Sequence, residues 1–242
     1  MAIAVNGGHV SRALDFYDRE SKYLIIGGSK PWDNEPTPDL PEITDFKLRD
    51  VIGLKKVDNT FLVIPDNERG TIVYRDQKWR VIPREIITKV GNEGILNGSN
   101  TFTIDSAAGL SVGSRLRINN LYEGTITEMN GSTVTLDTPA PANIDSGSPV
   151  LGGALIEGAK YVYVEGYLEY DRFPLATYRQ LGLCTGVIPA DPSVTNILRS
   201  AEFNPKGVDE YSSLGVLEIL DNRSPIPRDI NMRELISLII EF

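Results

Sequence analysis

Gly124-Thr125-Ile126-Thr127-Glu128-Met129, then Asn130-Gly131, then Ser132-Thr133-Val134-Thr135-Leu136: two β-branched runs lie on either side of a turn dipeptide. Asn-Gly between such runs signals a β-hairpin, because a type I′ turn needs φ > 0 at both central residues. The runs upstream, Phe102-Thr103-Ile104 and Arg115-Leu116-Arg117-Ile118, alternate in the same way. The spacing predicts a small all-β barrel or sandwich around the hairpin.

Composition sets the limits of this region. Lys89 and Lys160 flank 70 residues without a lysine, although the rest of the chain carries nine. Residues 91–153 hold ten of the 22 glycines and two aromatics, Phe102 and Tyr122. The tract opens at Gly91 and closes at Gly152-Gly153. A composition break bracketed by glycine is the mark of an inserted domain. The expected organisation is therefore a discontinuous β-rich main domain, residues 1–90 plus 154–242, interrupted by an all-β module at 91–153. The fold class is mainly β with a few short helices, an α+β arrangement.

The flanks supply further strands: Tyr23–Gly27, Phe61–Pro65, Thr71–Arg75, Trp79–Pro83, Tyr178–Ile188 and Gly215–Leu220. Tyr161–Tyr170 alternates, with Val162, Val164 and Leu168 on one face and Tyr161, Tyr163 and Tyr167 on the other. Ser11 is read as the cap of a short helix lined by Ala13, Leu14 and Tyr17. Thr44 is read as the cap of another, carrying Leu48, Val51, Ile52 and Lys55 at i, i+3, i+4, i+7. Pro31, Pro36, Pro38 and Pro41 make an irregular, extended strap between them. At the C-terminus, Ile236, Leu238, Ile240 and Phe242 share an apolar face, which predicts a paired and buried terminal strand. Asn222-Arg223-Ser224-Pro225 is expected to form the turn leading back toward it.

Charge excludes several classes of function. With 24 basic and 33 acidic residues the net charge is −9 and no basic run exists, so a nucleic-acid surface is not expected. No apolar run reaches membrane-spanning length. Met1–Val5 lacks basic residues and meets Asn6 too early for a signal peptide. The single cysteine, Cys184, permits neither an internal disulfide nor a CxxC site, as expected of assembly in a reducing cytoplasm.

Catalytic constellations are equally sparse. His9 is the sole histidine, so a Ser-His-Asp, Cys-His or histidine–zinc site lacks partners. Gly27-Gly28-Ser29-Lys30 runs into Pro31 rather than into the helix that a phosphate loop requires, and reads as a turn after a strand. Asp33-Asn34-Glu35 and Asp221-Asn222 lack EF-hand spacing and read as turn residues. Carboxylate pairs are plentiful, but only Trp32 and Trp79 offer tryptophan platforms for a sugar. No cofactor, metal or catalytic residue is expected.

Two motifs at opposite ends carry a family resemblance. The first is Tyr23-Leu24-Ile25-Ile26-Gly27 leading to Pro31-Trp32, Glu35 and Pro38; a helix ending Leu54-Lys55-Lys56-Val57, then Phe61–Pro65, Gly70-Thr71 and Tyr74, should follow. The second is Asn222-Arg223-Ser224-Pro225-Ile226-Pro227-Arg228, running to Ile240-Glu241-Phe242. Their order resembles the small baseplate wedge subunit of contractile-tailed, T-even-type bacteriophages over residues 10–85 and 160–242. The glycine-rich tract replaces the family's central stretch, and Asp229–Arg233 departs from its acidic-Gln segment.

The resemblance implies a non-enzymatic structural protein of the virion tail baseplate, a homodimer that docks onto other wedge proteins. Tyr161, Tyr163 and Tyr167 fit such a role because tyrosine gives rigid contact area at low entropic cost. Trp32, Asn222, Arg223 and Arg228 join them as candidate interface or structural residues. Two alternatives stand beside this reading: an adaptor for a tail fibre or neck, and a carbohydrate-binding or carbohydrate-active protein that uses the β insert.

Overall fold

A computed structural model of the chain describes residues 5–170 and 172–242; residues 1–4, on which most of the signal-peptide reading rests, lie outside them. The elements in chain order are α1 (Asn6–Asp18), β1 (Lys22–Gly27), β2 (Val51–Lys56), β3 (Asn59–Pro65), β4 (Ile72–Tyr74), β5 (Gln77–Ile82) and β6 (Ile86–Lys89). Then follow β7 (Thr101–Thr103), β8 (Arg115–Ile118), β9 (Tyr122–Asn130), β10 (Thr133–Leu136), β11 (Pro149–Gly152), α2 (Ala154–Glu157) and β12 (Tyr161–Leu168). The chain finishes with β13 (Thr177–Thr185), β14 (Ile188–Pro189), β15 (Ile197–Arg199), β16 (Tyr211–Ser213), β17 (Val216–Pro227) and β18 (Glu234–Glu241). The protein is mainly β, as its sequence predicts.

The chain divides into two compact units. The first comprises Met1–Tyr17, Phe61–Tyr163 and Ile239–Phe242, the second Asp18–Thr60 and Val164–Leu238.

The first unit contains a six-stranded sheet in the order β6-β11-β8-β9-β10-β7. A bridge between Val90 and Ile104 brings its two edges together into a nearly closed barrel. Alternation along each strand sends one set of side chains inward. Leu116, Ile118, Ile126, Val134, Leu136 and Val150 are almost wholly buried there. The barrel's first strand, β6, lies upstream of Gly91, and its last, β11, ends at Gly152. The chain's entry and exit meet, since Ala154 N donates to Pro83 O at 2.9 Å. Gly153 (φ 90°) makes that approach possible: a Cβ there would lie 2.9 Å from Pro83 O.

The 124–136 hairpin forms, but with its turn shifted by one residue. Asn130 pairs with Thr133, so the central residues are Gly131 and Ser132, and of these only Gly131 has positive φ (59°). A turn opened by glycine alone is the II′ kind, equally compatible with strand twist. The I′ signature sits instead at Arg75 (φ 48°) and Asp76 (φ 62°), between β4 and β5.

Of the first unit's other strands, β4, β5 and Phe61–Pro65 of β3 belong to the sheet β18-β12-β3-β5-β4, as do Tyr161–Tyr163 of β12 and Ile239–Glu241 of β18. Tyr161 meets Trp79 edge-on at 5.1 Å, Phe61 stacks on Tyr163 at 6.4 Å, and Phe242 N donates to Lys160 O at 3.1 Å. The C-terminal pairing therefore runs to the last residue. Burial of its apolar face is graded: Ile236 and Leu238 are buried, Ile240 and Phe242 half-buried, with Phe242 against Phe16 at 5.2 Å. Helix α1 starts at Asn6, so Ser11 lies inside it and caps nothing. Its buried face is Val10, Ala13 and Phe16.

The second unit is built on the sheet β15-β2-β1-β13-β17. Here the expected helix at 44–55 is overturned, because residues 51–56 form β2, paired with β1 and β15. Ile52 and Leu54 are fully buried, and a Cβ on Gly53 would come within 2.9 Å of Phe173. A strand covered on both faces reads as an unbroken apolar run, which helical spacing fits by chance. The turn expected at 222–225 is likewise overturned, and Asp221-Asn222 are not turn residues. All lie within β17, the sheet's edge, where proline is tolerated. Tyr178 pairs with Ile226 and Gln180 with Asn222, so Arg223-Ser224-Pro225 bulge opposite Arg179.

Candidate functional site

Residues 28–50 are irregular, as four prolines require, yet this strap is held at defined points. Gly28 (φ 72°) turns the chain out of β1, and its amide donates to Asp50 O at 3.1 Å. Ser29 N donates to the Asp50 carboxylate at 2.9 Å. Gly27-Gly28-Ser29-Lys30 is thus a turn closed by the strap's own far end.

Two polar residues in the middle of β13 do most of the holding. Arg179, 7% exposed, donates through Nε to both Glu35 carboxylate oxygens (2.9 and 3.1 Å). Its Nη1 donates to Gly28 O and Ser29 O (3.3 and 2.9 Å). Gln180, 3% exposed, accepts from Arg49 N at 2.7 Å and donates to Asn222 Oδ1 at 2.9 Å. Asn222 in turn donates to Asp39 O at 2.8 Å. Glu35 lies in a turn, as expected, and is also a salt-bridge acceptor.

Trp32 completes the arrangement. It is 6% exposed, its backbone N donates to Glu35 Oε1 at 3.2 Å, and the Arg49 guanidinium lies 4.1 Å above its ring. Its indole N–H donates to Arg223 O at 2.9 Å, the carbonyl that the β17 bulge releases from the ladder. The two end motifs, 191 residues apart in sequence, therefore meet at this hydrogen bond.

Both motifs fall within the stretches that match a known family. Residues 1–93 and 144–242 fit the family described as baseplate wedge 3 tail fiber network component. The chain belongs to this family. It is a bacteriophage virion protein, a structural component of the tail baseplate, as the two motifs imply. It is also similar to virion protein 3 of Enterococcus phage phiEF24C, 36% identical over 91 residues, which are 35% of this chain and 50% of that protein. The chain spans about half the length of this curated relative.

The remaining candidates of this baseplate protein fall into separate places. Arg228 is buried, donates to Leu168 O and Tyr170 O (3.5 and 3.3 Å), and lies over the Phe173 ring at 5.4 Å. Glu234 stands 3.5 Å from its Nη1 and also accepts from the Tyr178 hydroxyl. Burial pulls the Arg228 pKa down, opposed by the Glu234 charge. Burial, followed by the bond to Glu234, pushes the Tyr178 phenol well above its ordinary value. Arg228 thus ties a loop to two strands and is inaccessible to any partner.

The tyrosines divide similarly. Tyr163 is 5% exposed and belongs to the interior. Tyr161 is half-buried, with its hydroxyl on Glu241 at 3.2 Å. Tyr167 lies under Arg233 at 4.0 Å, and that arginine is fixed by Glu169 at 3.1 Å. Arg223 is half-buried and bonds Asp221 at 2.8 Å. Cys184 is buried in β13, where burial first and Glu218 second push its thiol up to about 12.

Arg179 and Gln180 are what sequence reading misses. Their signal was present, since Tyr178–Thr185 is otherwise apolar and a polar pair within a buried strand needs partners.

Proposed function

We propose that this baseplate component is a wedge subunit of a contractile tail, non-enzymatic and without a cofactor. It assembles in the host cytoplasm as a homodimer that docks onto neighbouring wedge proteins, not onto nucleic acid or membrane. The observation that carries this reading is the Trp32–Arg223 junction. It anchors an irregular strap whose outer residues Leu40, Ile43 and Phe46 are 86%, 103% and 77% exposed. Large apolar side chains held in water by an ordered frame serve association better than they serve the fold. Sedimentation of the purified protein across the micromolar range should give a dimer; a 26.7 kDa monomer throughout would contradict self-pairing.

The insert at 91–153, completed by β6 just before it, is proposed to be an independent module. Its support is twofold: the family match stops at 93 and resumes at 144, and the barrel has its own apolar interior. A second reading, adaptor to a tail fibre, draws on the family description, which names a tail fiber network. Cross-linking mass spectrometry of purified particles separates the two: cross-links to wedge proteins support the first, cross-links confined to fibre proteins the second.

A further inference from the structure

β17 pairs with β13 alone, so its other edge is open. The bulge, Pro225 and Pro227 guard the C-terminal half of that edge, as proline does on exposed strands. Residues 216–221 contain neither proline nor glycine, and among the described residues no loop backbone bonds to them. A groove of about 320 Å³ runs beside them, lined by Pro41, Glu42, Ile43 and Asp45 of the strap and by residues 217–220. Successive strand residues point to opposite faces. A groove touching four in a row must follow the strand's edge rather than one face of the sheet.

The chemistry of the groove is specific. Ile43 is wholly exposed and Val216 62% exposed, while Leu217, Ile219 and Leu220 are half-buried. Glu42 and Asp45 stand exposed on the rim; one Asp45 oxygen accepts from Glu42 N at 2.9 Å and one Glu42 oxygen from Thr44 Oγ1 at 3.3 Å, and among the described residues no cation faces either carboxylate. Of the strap's three cations, Arg49 lies over Trp32 and Lys47 over Phe46, while Lys30 sits at its far, N-terminal end.

We propose that this edge receives one extended segment of a neighbouring tail protein as a sixth strand. Apolar side chains of that segment meet Ile43, Leu217 and Ile219, and its lysines or arginines meet Glu42 and Asp45. Backbone hydrogen bonds supply affinity in such strand addition, and side-chain pockets supply selectivity. A second copy is the wrong occupant: two-fold pairing would set the same carboxylates against each other in a chain of net charge −9. The inference rests on the reading of the chain as an assembly component, which supplies the neighbour.

The test is amide NMR of the full-length protein titrated with a synthetic peptide of alternating lysine and valine. Shifts and slowed exchange should concentrate at 216–221. Glu42→Lys combined with Asp45→Lys should weaken binding by roughly tenfold at low salt, since the reversed rim charges then repel the peptide's lysines. Because Asp45 Oδ2 accepts from Glu42 N at 2.9 Å, a second variant, Glu42→Gln with Asp45→Asn, keeps an acceptor there; it should melt like the parent and still bind the peptide more weakly. Three results would each overturn the proposal: no shifts at 216–221, equal binding of a glutamate–valine peptide, or the same shifts on concentrating the protein alone, which would assign the edge to a second copy. Mass spectrometry of purified particles tests the baseplate role separately; a protein present in particles but indifferent to the peptide loses only this edge.

Discussion

The barrel of β6–β11 and the strap of residues 28–50 are both ordered, but by opposite means. In the barrel, order comes from apolar side chains of strict alternation, with Leu116, Ile118 and Val134 fully buried. In the strap, most side chains are exposed, and order comes from a few polar groups on β13 and β17 that grip backbone atoms. In the barrel, dispersion and dehydration are spread over many weak contacts, so no single pair of atoms decides its order. In a hydrogen-bonded clamp single pairs do decide it, because each buried polar atom left unpaired costs its desolvation in full. The strap is therefore the region where a single polar substitution should do the most damage.

Arg179→Ala should have the largest effect, destabilising the second unit by about 3–5 kcal/mol, because Glu35 and two carbonyls lose their partner together. A urea melt followed by tryptophan fluorescence reads it; an unchanged midpoint would show the strap to be held by something else. Leu116→Ala should cost about 2–5 kcal/mol in the barrel through the cavity it leaves. Amide exchange should find that loss confined to residues 86–152, with Trp32 undisturbed.

Trp32→Phe keeps the ring but removes the N–H that Arg223 O accepts. It should cost about 1–3 kcal/mol, read by a urea melt followed by far-ultraviolet circular dichroism, since Trp32 itself is gone. The smallest effect at neutral pH concerns Cys184. Its folded pKa is raised above the unfolded value near 9, so its contribution is complete below pH 9 and is lost as pH climbs toward about 12. Tyr178, also raised, acts in the same direction. Stability should fall on the alkaline side, and Cys184→Ala should flatten part of that fall while leaving the slope at pH 6–8 alone.

The same contrast explains what could be read from the chain. Period 2 and the turn residues mark four of the six barrel strands to within a residue or two, and Arg115–Ile118 is β8 itself; β6 and β11, short and flanked by proline or glycine, carry no such signal. The hairpin register slipped because Gly131 satisfies a turn at either of two positions. β2 reads as a helix because burial on both faces erases alternation, leaving Leu48, Val51, Ile52 and Lys55 at helical spacing. The bulge in β17 was mistaken for a turn because Asn-Arg-Ser-Pro has turn composition, and only an edge position lets it remain a strand. At the site, Trp32, Asn222 and Arg223 could be singled out one by one. Their meeting could not, since it depends on Arg179, Gln180 and on which strand lies at the sheet's edge. Arg228, singled out as a possible contact, is an interior clamp; sequence gives its chemistry but not its depth.

If the barrel and the rest of the fold are held independently, the barrel can be cut out. Pro83 O and Ala154 N are already hydrogen-bonded, and Arg80 keeps Asp66 (3.1 Å) and Glu157 (3.0 Å) even without the barrel's Gly113 carbonyl. Closing so short a gap adds little loop entropy. The decisive measurement is thermal unfolding of a variant in which a Gly/Ser link joins Glu85 to Gly153 in place of residues 86–152. One cooperative transition, with the Trp32 fluorescence of the parent, is the expected result. An insoluble protein, or a melt without cooperativity, would mean that the barrel is part of the core that holds the strap.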